Sequence, residues 1–248
     1  MDQSSKTPLL TRLRHETRRR ELSIISSRRV TPNMLRLRLG GPELADFVSA
    51  SPADHVKLFV PDGTGGKVMR DYTPRRHDPE ESWLEIDFAL HDAGPATLWA
   101  LQARPGDRAE IGGPRGSLVI GGPVASWVLI GDETALPSIA RRIEELPPGA
   151  TVTSIVAVSD IADQQVVETK ADHEPIWVHR KDPADATALA TALEAVALPP
   201  QTFVWIAAEA GVARALRDAV LARGVPPEWL RAAGYWVVGE ADASVKDL

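Results

Sequence analysis

Trp127-Val128-Leu129-Ile130-Gly131-Asp132-Glu133-Thr134-Ala135-Leu136-Pro137 is the stretch that decides the fold. Four consecutive apolar residues without polar alternation read as a strand buried on both faces, the mark of a parallel sheet. Pro137 suits the first turn of a helix. Ile139, Ile143 and Leu146 then recur at helical spacing until Pro147-Pro148 stops the run. Downstream the pattern continues: strands over 152–158, 176–178 and 203–207, helices over 185–198 and 212–223, and a last strand near 235–238. Apolar strands alternating with amphipathic helices predict a parallel-sheet α/β domain over 124–248.

Upstream the character changes. Short runs at 21–30, 34–39, 55–60, 83–90 and 108–111 are separated by Gly40-Gly41-Pro42, Pro61-Asp62-Gly63 and Pro105-Gly106-Asp107. Met34-Leu35-Arg36-Leu37-Arg38-Leu39 and Trp83-Leu84-Glu85-Ile86-Asp87-Phe88 alternate with the period of half-buried strands. Five or six short strands with little helix predict an antiparallel Greek-key β-barrel over 18–119. The expected fold class is therefore β followed by α/β, in two domains.

Composition narrows the chemistry. The chain has 248 residues, 44% of them hydrophobic and 25% charged, an ordinary globular balance. No apolar run reaches the roughly 18 residues of a membrane span, and no apolar stretch behind the first charges marks a secretory leader. Cysteine is absent, which removes disulfides, thiolate nucleophiles and thiolate-held metal or iron–sulfur sites. Redox chemistry here must ride on a bound organic cofactor or on His and carboxylate ligands. The six histidines show no ligand spacing, so no intrinsic metal is expected, and His15, His55, His77 and His173 read as surface or core residues. A net charge of −6 argues against a nucleic-acid binder. Residues 1–17 are basic and carry no apolar face, so they are expected to form a flexible arm.

In a doubly wound sheet, ligands bind beyond the carboxyl ends of strands where the strand order reverses. Gly131-Asp132-Glu133-Thr134 and Ala208-Glu209-Ala210-Gly211 end the first and fourth strands of the second half, and so flank the switch point. Helix N-termini there are available to phosphates. Acidic residues repel pyrophosphate, which places Asp132, Thr134 and Glu209 nearer the nicotinamide amide and ribose of a dinucleotide. In the first half, Arg70-Asp71-Tyr72-Thr73-Pro74-Arg75 is extended, so Arg70 and Tyr72 share one face and Thr73 the other. His91-Asp92-Ala93-Gly94-Pro95-Ala96-Thr97 follows a strand and opens a short helix. Its free N–H groups at Gly94, Ala96 and Thr97 offer a phosphate cradle.

Together these residues resemble the siderophore-interacting protein family, FAD-containing ferric-siderophore reductases of the ferredoxin–NADP reductase-like group. Arg70–Arg75 resembles that family's R-x-Y-T-x-R flavin motif. His91 with Gly94-Pro95-Ala96 and Trp99-Ala100, Gly113-Pro114-Arg115-Gly116, Gly131 to Pro137, the stretch 205–217 and Gly234-Tyr235-Trp236 follow in the family's order. The resemblance spans roughly 18–240. The chain departs at Ala208, where the family commonly has Gly, and at Val237, where it has Arg.

What the resemblance implies is FAD on the first domain and NADPH or NADH on the second, reducing a ferric siderophore. In that reading Arg70 neutralises an FAD phosphate, Tyr72 packs on flavin or ribose, and Thr73 hydrogen-bonds the isoalloxazine edge. Asp87 and His91 project toward the ring, and Gly94, Pro95, Ala96 and Thr97 hold the pyrophosphate. A monomer working in the cytoplasm, without nucleic-acid or membrane partners, is expected. Two alternatives stand beside it: a flavin oxidoreductase with free flavin or a partner protein as acceptor, and a siderophore-binding protein that does not turn over. Ser159, Arg180 and Lys181 are candidates to read a 2′-phosphate, while Asp160 beside them favours a free ribose hydroxyl.

Overall fold

The computed structural model describes residues 7–90 and 94–248. The chain divides into two compact units, one over 11–119 and one over 120–248 with the N-terminal segment before residue 11.

The first unit is built on strands β1 (Leu9–Arg14), β2 (Arg19–Thr31), β3 (Met34–Gly40), β4 (Val56–Pro61), β5 (Lys67–Tyr72), β6 (Arg76–Asp78) and β7 (Trp83–Ala89). Helix α1 (Pro95–Gln102) and strands β8 (Arg108–Gly112) and β9 (Gly116–Gly121) complete it. Seven strands form one antiparallel sheet in the order β5-β4-β8-β2-β3-β7-β6. Its two edges, β5 and β6, are joined by only Thr73, Pro74 and Arg75. Three residues span about 10 Å at most, so the sheet must curl until its edges meet. The expected antiparallel β domain is present as a curled sheet that does not close into a full barrel among the described residues: β5 and β6 are unpaired edges, and the R-x-Y-T-x-R motif crosses the seam between them.

Alternation explains the core. Leu35, Leu37 and Leu39 of β3 and Leu84, Ile86 and Phe88 of β7 point inward with Leu58, Val60 and Ile111. The opposite face of the same two strands is charged, with Arg36, Glu85 and Asp87 buried and Arg38 at its partly exposed rim. Register sets Arg36 opposite Asp87 and Arg38 opposite Glu85. Each arginine meets its acid as a cross-strand pair.

The basic arm expected over 1–17 is a correction. Within its described part, Leu9–Arg14 is a strand paired with β9, and His15 Nε2 lies 2.8 Å from Ser117 Oγ. Glycines make the approach possible. A Cβ on Gly116 would sit 2.3 Å from the Leu13 carbonyl oxygen, and one on Gly122 would sit 2.9 Å from Leu9 N. Residues 1–6 lie outside the described residues.

The second unit holds β10 (Ser126–Asp132), α2 (Leu136–Glu145), β11 (Thr151–Val158), β12 (Asp172–His179), α3 (Thr187–Glu194), β13 (Thr202–Glu209), α4 (Ala210–Ala222) and β14 (Leu230–Trp236). The parallel order is β12-β11-β10-β13-β14. The chain runs outward from β10 to β12, returns across the sheet, and resumes at β13. The switch point therefore lies between the carboxyl ends of β10 and β13, where the sequence put it. Gly131 serves packing there: a Cβ would meet the Ala207 oxygen at 2.5 Å and the Ala135 Cβ at 2.8 Å.

Candidate functional site

In the first unit the flavin-motif residues sit on and beyond β5. Val68, Arg70 and Tyr72 alternate with exposed Lys67, Met69 and Asp71, so Arg70 and Tyr72 do share the inward face. The Tyr72 ring lies 4.4 Å from Phe88, and Phe88 lies 6.1 Å from Trp99 of α1. This row of rings ties the motif to the helix. Burial pushes the Tyr72 phenol well above its ordinary range, while the Arg70 charge acts the other way, so it stays protonated as a ring with a hydroxyl tip. Arg70 Nη1 donates to the Met69 carbonyl at 2.8 Å. Thr73 and Arg75 are buried on the seam, and Arg75 N donates to the Glu85 carbonyl at 2.9 Å.

The α1 N-terminus suits an anion. Gly94 is its N-cap, no side chain caps it, Pro95 opens it, and no acid stands in its first turn. A Cβ on Gly94 would meet nothing within 4 Å among the described residues. The N–H groups of Ala96 and Thr97 point out of that first turn, where the helix dipole favours negative charge. A cofactor pyrophosphate fits this donor set. His91 lies outside the described residues, as do Asp92 and Ala93.

Asp87 has another task than the one expected. It accepts from Arg36 Nε at 2.5 Å and Arg36 Nη2 at 2.7 Å, and Arg75 Nε stands 3.8 Å from its second oxygen. Asp87 is buried at 4% exposure within an ion-pair group that also includes Glu85 and Arg38. Strand register made this pair, and it braces the seam instead of facing a ring.

In the second unit, Asp132 and Glu209 reach the switch point but face inward. Asp132 is fully buried. One oxygen accepts from Thr134 N at 2.9 Å and Thr134 Oγ1 at 2.5 Å. The other accepts from Glu209 N at 3.1 Å and Trp236 Nε1 at 3.0 Å, with Arg180 Nη2 at 3.3 Å. Glu209 caps α4, taking Gly211 N at 2.5 Å and Val212 N at 3.1 Å on one oxygen, and Val238 N at 3.3 Å on the other. The α4 N-terminus is therefore filled by its own carboxylate and is closed to phosphate. The α2 N-terminus has no side-chain cap.

Arg180 does not stand free to read a 2′-phosphate. Its guanidinium is held by Asp132 and by Glu133 at 3.4 Å, and Nη1 donates to the Pro183 carbonyl. Burial and the Asp132 charge push the Glu133 carboxyl up, and Arg180 partly offsets them. Trp236 is the residue that sequence reasoning passed over. The Gly-Tyr-Trp block was a signal, but only the folded chain shows its indole on Asp132. No group of His, Asp and Glu side chains placed to hold a metal ion occurs among the described residues.

Two family models match this chain: "Siderophore-interacting FAD-binding domain" over residues 23–68 and 61–118, and "Siderophore-interacting protein" over 124–239. The chain belongs to the siderophore-interacting protein family. It is 34% identical to the NADPH-dependent ferric-chelate reductase of Escherichia coli K12, with 91% of this chain and 95% of that protein aligned. A ferric vibriobactin reductase of Vibrio cholerae is 28% identical, with 73% of each covered. The mycobactin import ATP-binding/permease protein of Mycolicibacterium smegmatis is 34% identical to it, and the chain spans 26% of that longer protein. Among solved structures, a siderophore utilization protein from T. fusca superposes with a TM-score of 0.87 at 36% identity, covering 95% of this chain and 98% of that one. The ferredoxin reductase of a carbazole dioxygenase, at 18% identity and a TM-score of 0.67, shares the fold over 86% of this chain and 68% of its own.

Proposed function

We propose that the chain is a flavin-dependent reductase that takes electrons from NADPH or NADH and delivers them to a ferric siderophore, releasing Fe(II). The observation that carries this reading is the uncapped, acid-free N-terminus of α1 on the same core as Tyr72, which Arg70 and Thr73 flank, within the part that matches an FAD-binding domain. FAD, when bound, accepts a hydride pair and gives electrons up singly, which nicotinamide and iron each require.

The residues do the holding. Arg70 compensates a phosphate charge, Tyr72 presents a ring, and Thr73 offers a hydroxyl from the seam. Gly94, Pro95, Ala96 and Thr97 bring backbone donors to the pyrophosphate. In this reading the FAD domain runs over 18–119 and the nucleotide domain over 124–248. In the second, Thr134 lines the crevice, and Asp132 and Glu209 shape it through the groups they hold. The names of the Escherichia coli and Vibrio cholerae relatives support a ferric chelate as acceptor. No helix among the described residues is long and apolar enough to cross a membrane. A monomer in the cytoplasm, where NAD(P)H is supplied, completes the reading.

The test is steady-state iron reduction. Purified protein supplied with NADPH or NADH and a panel of ferric siderophores should form Fe(II), trapped by a chromogenic chelator. A protein that purifies without flavin, or binds ferric chelate without turnover, would point instead to a carrier.

A further inference from the structure

The crevice between β10 and β13 is crossed by one side chain that no role above uses. Neighbouring strands lie about 4.8 Å apart, so β14 and β10, with β13 between them, are about 10 Å apart. Trp236 stands at the carboxyl end of β14, in register with Glu209 of β13. Its indole N–H nevertheless reaches Asp132 Oδ2, at the end of β10, over 3.0 Å. The same oxygen takes Glu209 N at the end of β13, so the Asp132 carboxylate and the Trp236 indole meet at the carboxyl end of that middle strand.

The ring is held at its N–H edge, and the backbone that follows it is pinned as well. Asp132 is fully buried and bound by Thr134, Glu209 and Arg180, so it is a fixed acceptor. Two residues on, Val238 N donates to Glu209 Oε1, which pins the chain leaving the strand. The preceding Tyr235 points elsewhere: its ring packs edge-on against Trp205, and its hydroxyl lies 3.2 Å from Ser138 Oγ. Trp236 itself is only partly buried. Its polar edge is satisfied on Asp132, and the rest of the side chain stays partly exposed at the switch point. Indole is the strongest of the aromatic side chains in attracting a cation to its face, and oxidised nicotinamide is a cationic ring.

We propose that Trp236 is the aromatic surface against which the nicotinamide nucleotide packs at the switch point, with Asp132 the positioning residue that sets its indole. This rests on the reading that the second unit takes a nicotinamide nucleotide. Asp132 thus acts on the ligand through Trp236 and not by touching it.

Equilibrium binding of NAD⁺ and NADP⁺ to the FAD-loaded protein, by calorimetry, tests this without turnover. Trp236→Ala should weaken whichever nucleotide the wild type binds by about tenfold, at unchanged FAD content. Trp236→Phe keeps a ring but loses the N–H and should weaken it by about threefold. Asp132→Asn should weaken it to a similar degree, and the double variant Trp236→Phe/Asp132→Asn should be no worse than the poorer single one, because both act through one contact. In steady state the KM for NADPH or NADH should rise by less than the NAD⁺ or NADP⁺ dissociation constant, because the reduced ring is neutral and only its stacking is lost, with kcat within twofold. Binding by Trp236→Ala within twofold of wild type overturns the proposal. Additive losses in the double variant overturn the positioning role of Asp132. Wild-type protein that binds neither nucleotide removes the underlying reading as well, an outcome visible before any variant is made.

Discussion

At the carboxyl end of β10, two acidic groups, Asp132 and Glu133, share the Arg180 guanidinium. Glu133 is the one whose carboxyl is pushed up, chiefly by burial and then by the Asp132 charge. A raised carboxyl pKa means the folded state binds its proton more readily than the unfolded chain does. Stability is then fullest at low pH and declines as pH rises through the folded-state value. Glu133→Gln should accordingly raise the melting temperature at neutral pH, with the gain vanishing below about pH 4, where the carboxyl is protonated in both states. Thermal melts of both proteins from pH 4 to 8 would show it, and a variant less stable than wild type at pH 7 would contradict it. Arg70 is the residue with most at stake for flavin. Arg70→Ala removes a charge-assisted contact of roughly 1.5–3 kcal/mol, or roughly a 10- to 100-fold weakening of FAD binding. Flavin absorbance of the purified variant checks this; full occupancy at micromolar concentration with an unchanged dissociation constant would place Arg70 outside the site. Residue types were legible in the sequence at Arg70, Tyr72 and Thr73, because a six-residue motif fixes their alternation locally. Asp87, Asp132 and Glu209 were legible only as acids near strand ends. Their partners, Arg36, Trp236 and the α4 backbone, lie on other strands or depend on register, which no local pattern encodes.

Among the elements, β1 carries the clearest lesson. Its burial shows no alternation, since it is a surface ribbon whose partner is backbone and not core. Periodicity cannot find such a strand. The signal lay in glycine, at Gly116 and Gly122, where the opposite chain comes too close for a side chain. By the same reasoning β9 and the short β6 escaped detection, whereas β3, β7 and β10 carry large apolar faces and were plain. Removal of residues 1–15 deletes the ladder to β9 and the His15–Ser117 contact. That contact belongs to a buried group in which Ser117 and Ser49 donate to Asp54 at 2.6 and 2.9 Å. A loss of about 2 kcal/mol is expected from a few net hydrogen bonds, a drop of about 4–8 °C in melting temperature for a chain of this size. Differential scanning calorimetry of the truncated protein decides this. An unchanged melting temperature would mean that the ribbon is held without contributing to stability.

For the molecule as a whole, the division into a curled antiparallel sheet and a parallel α/β sheet was readable because each half repeats its own period. The division of labour follows from it. The groups proposed to hold flavin lie in one unit and the switch-point groups in the other, so damage to either should separate in kinetics. Hydride transfer requires reacting atoms within about 3–3.5 Å and is sensitive to small misplacements. Anaerobic stopped-flow absorbance resolves the two half-reactions in one protein. Mixing with NADPH or NADH should bleach the bound flavin, and mixing the reduced protein with a ferric siderophore should restore its colour while Fe(II) appears. Glu209→Ala should keep its FAD and slow only the first of these steps. Flavin that neither nucleotide bleaches, or reduced flavin that a panel of ferric siderophores leaves unoxidised, would contradict a ferric-siderophore reductase outright.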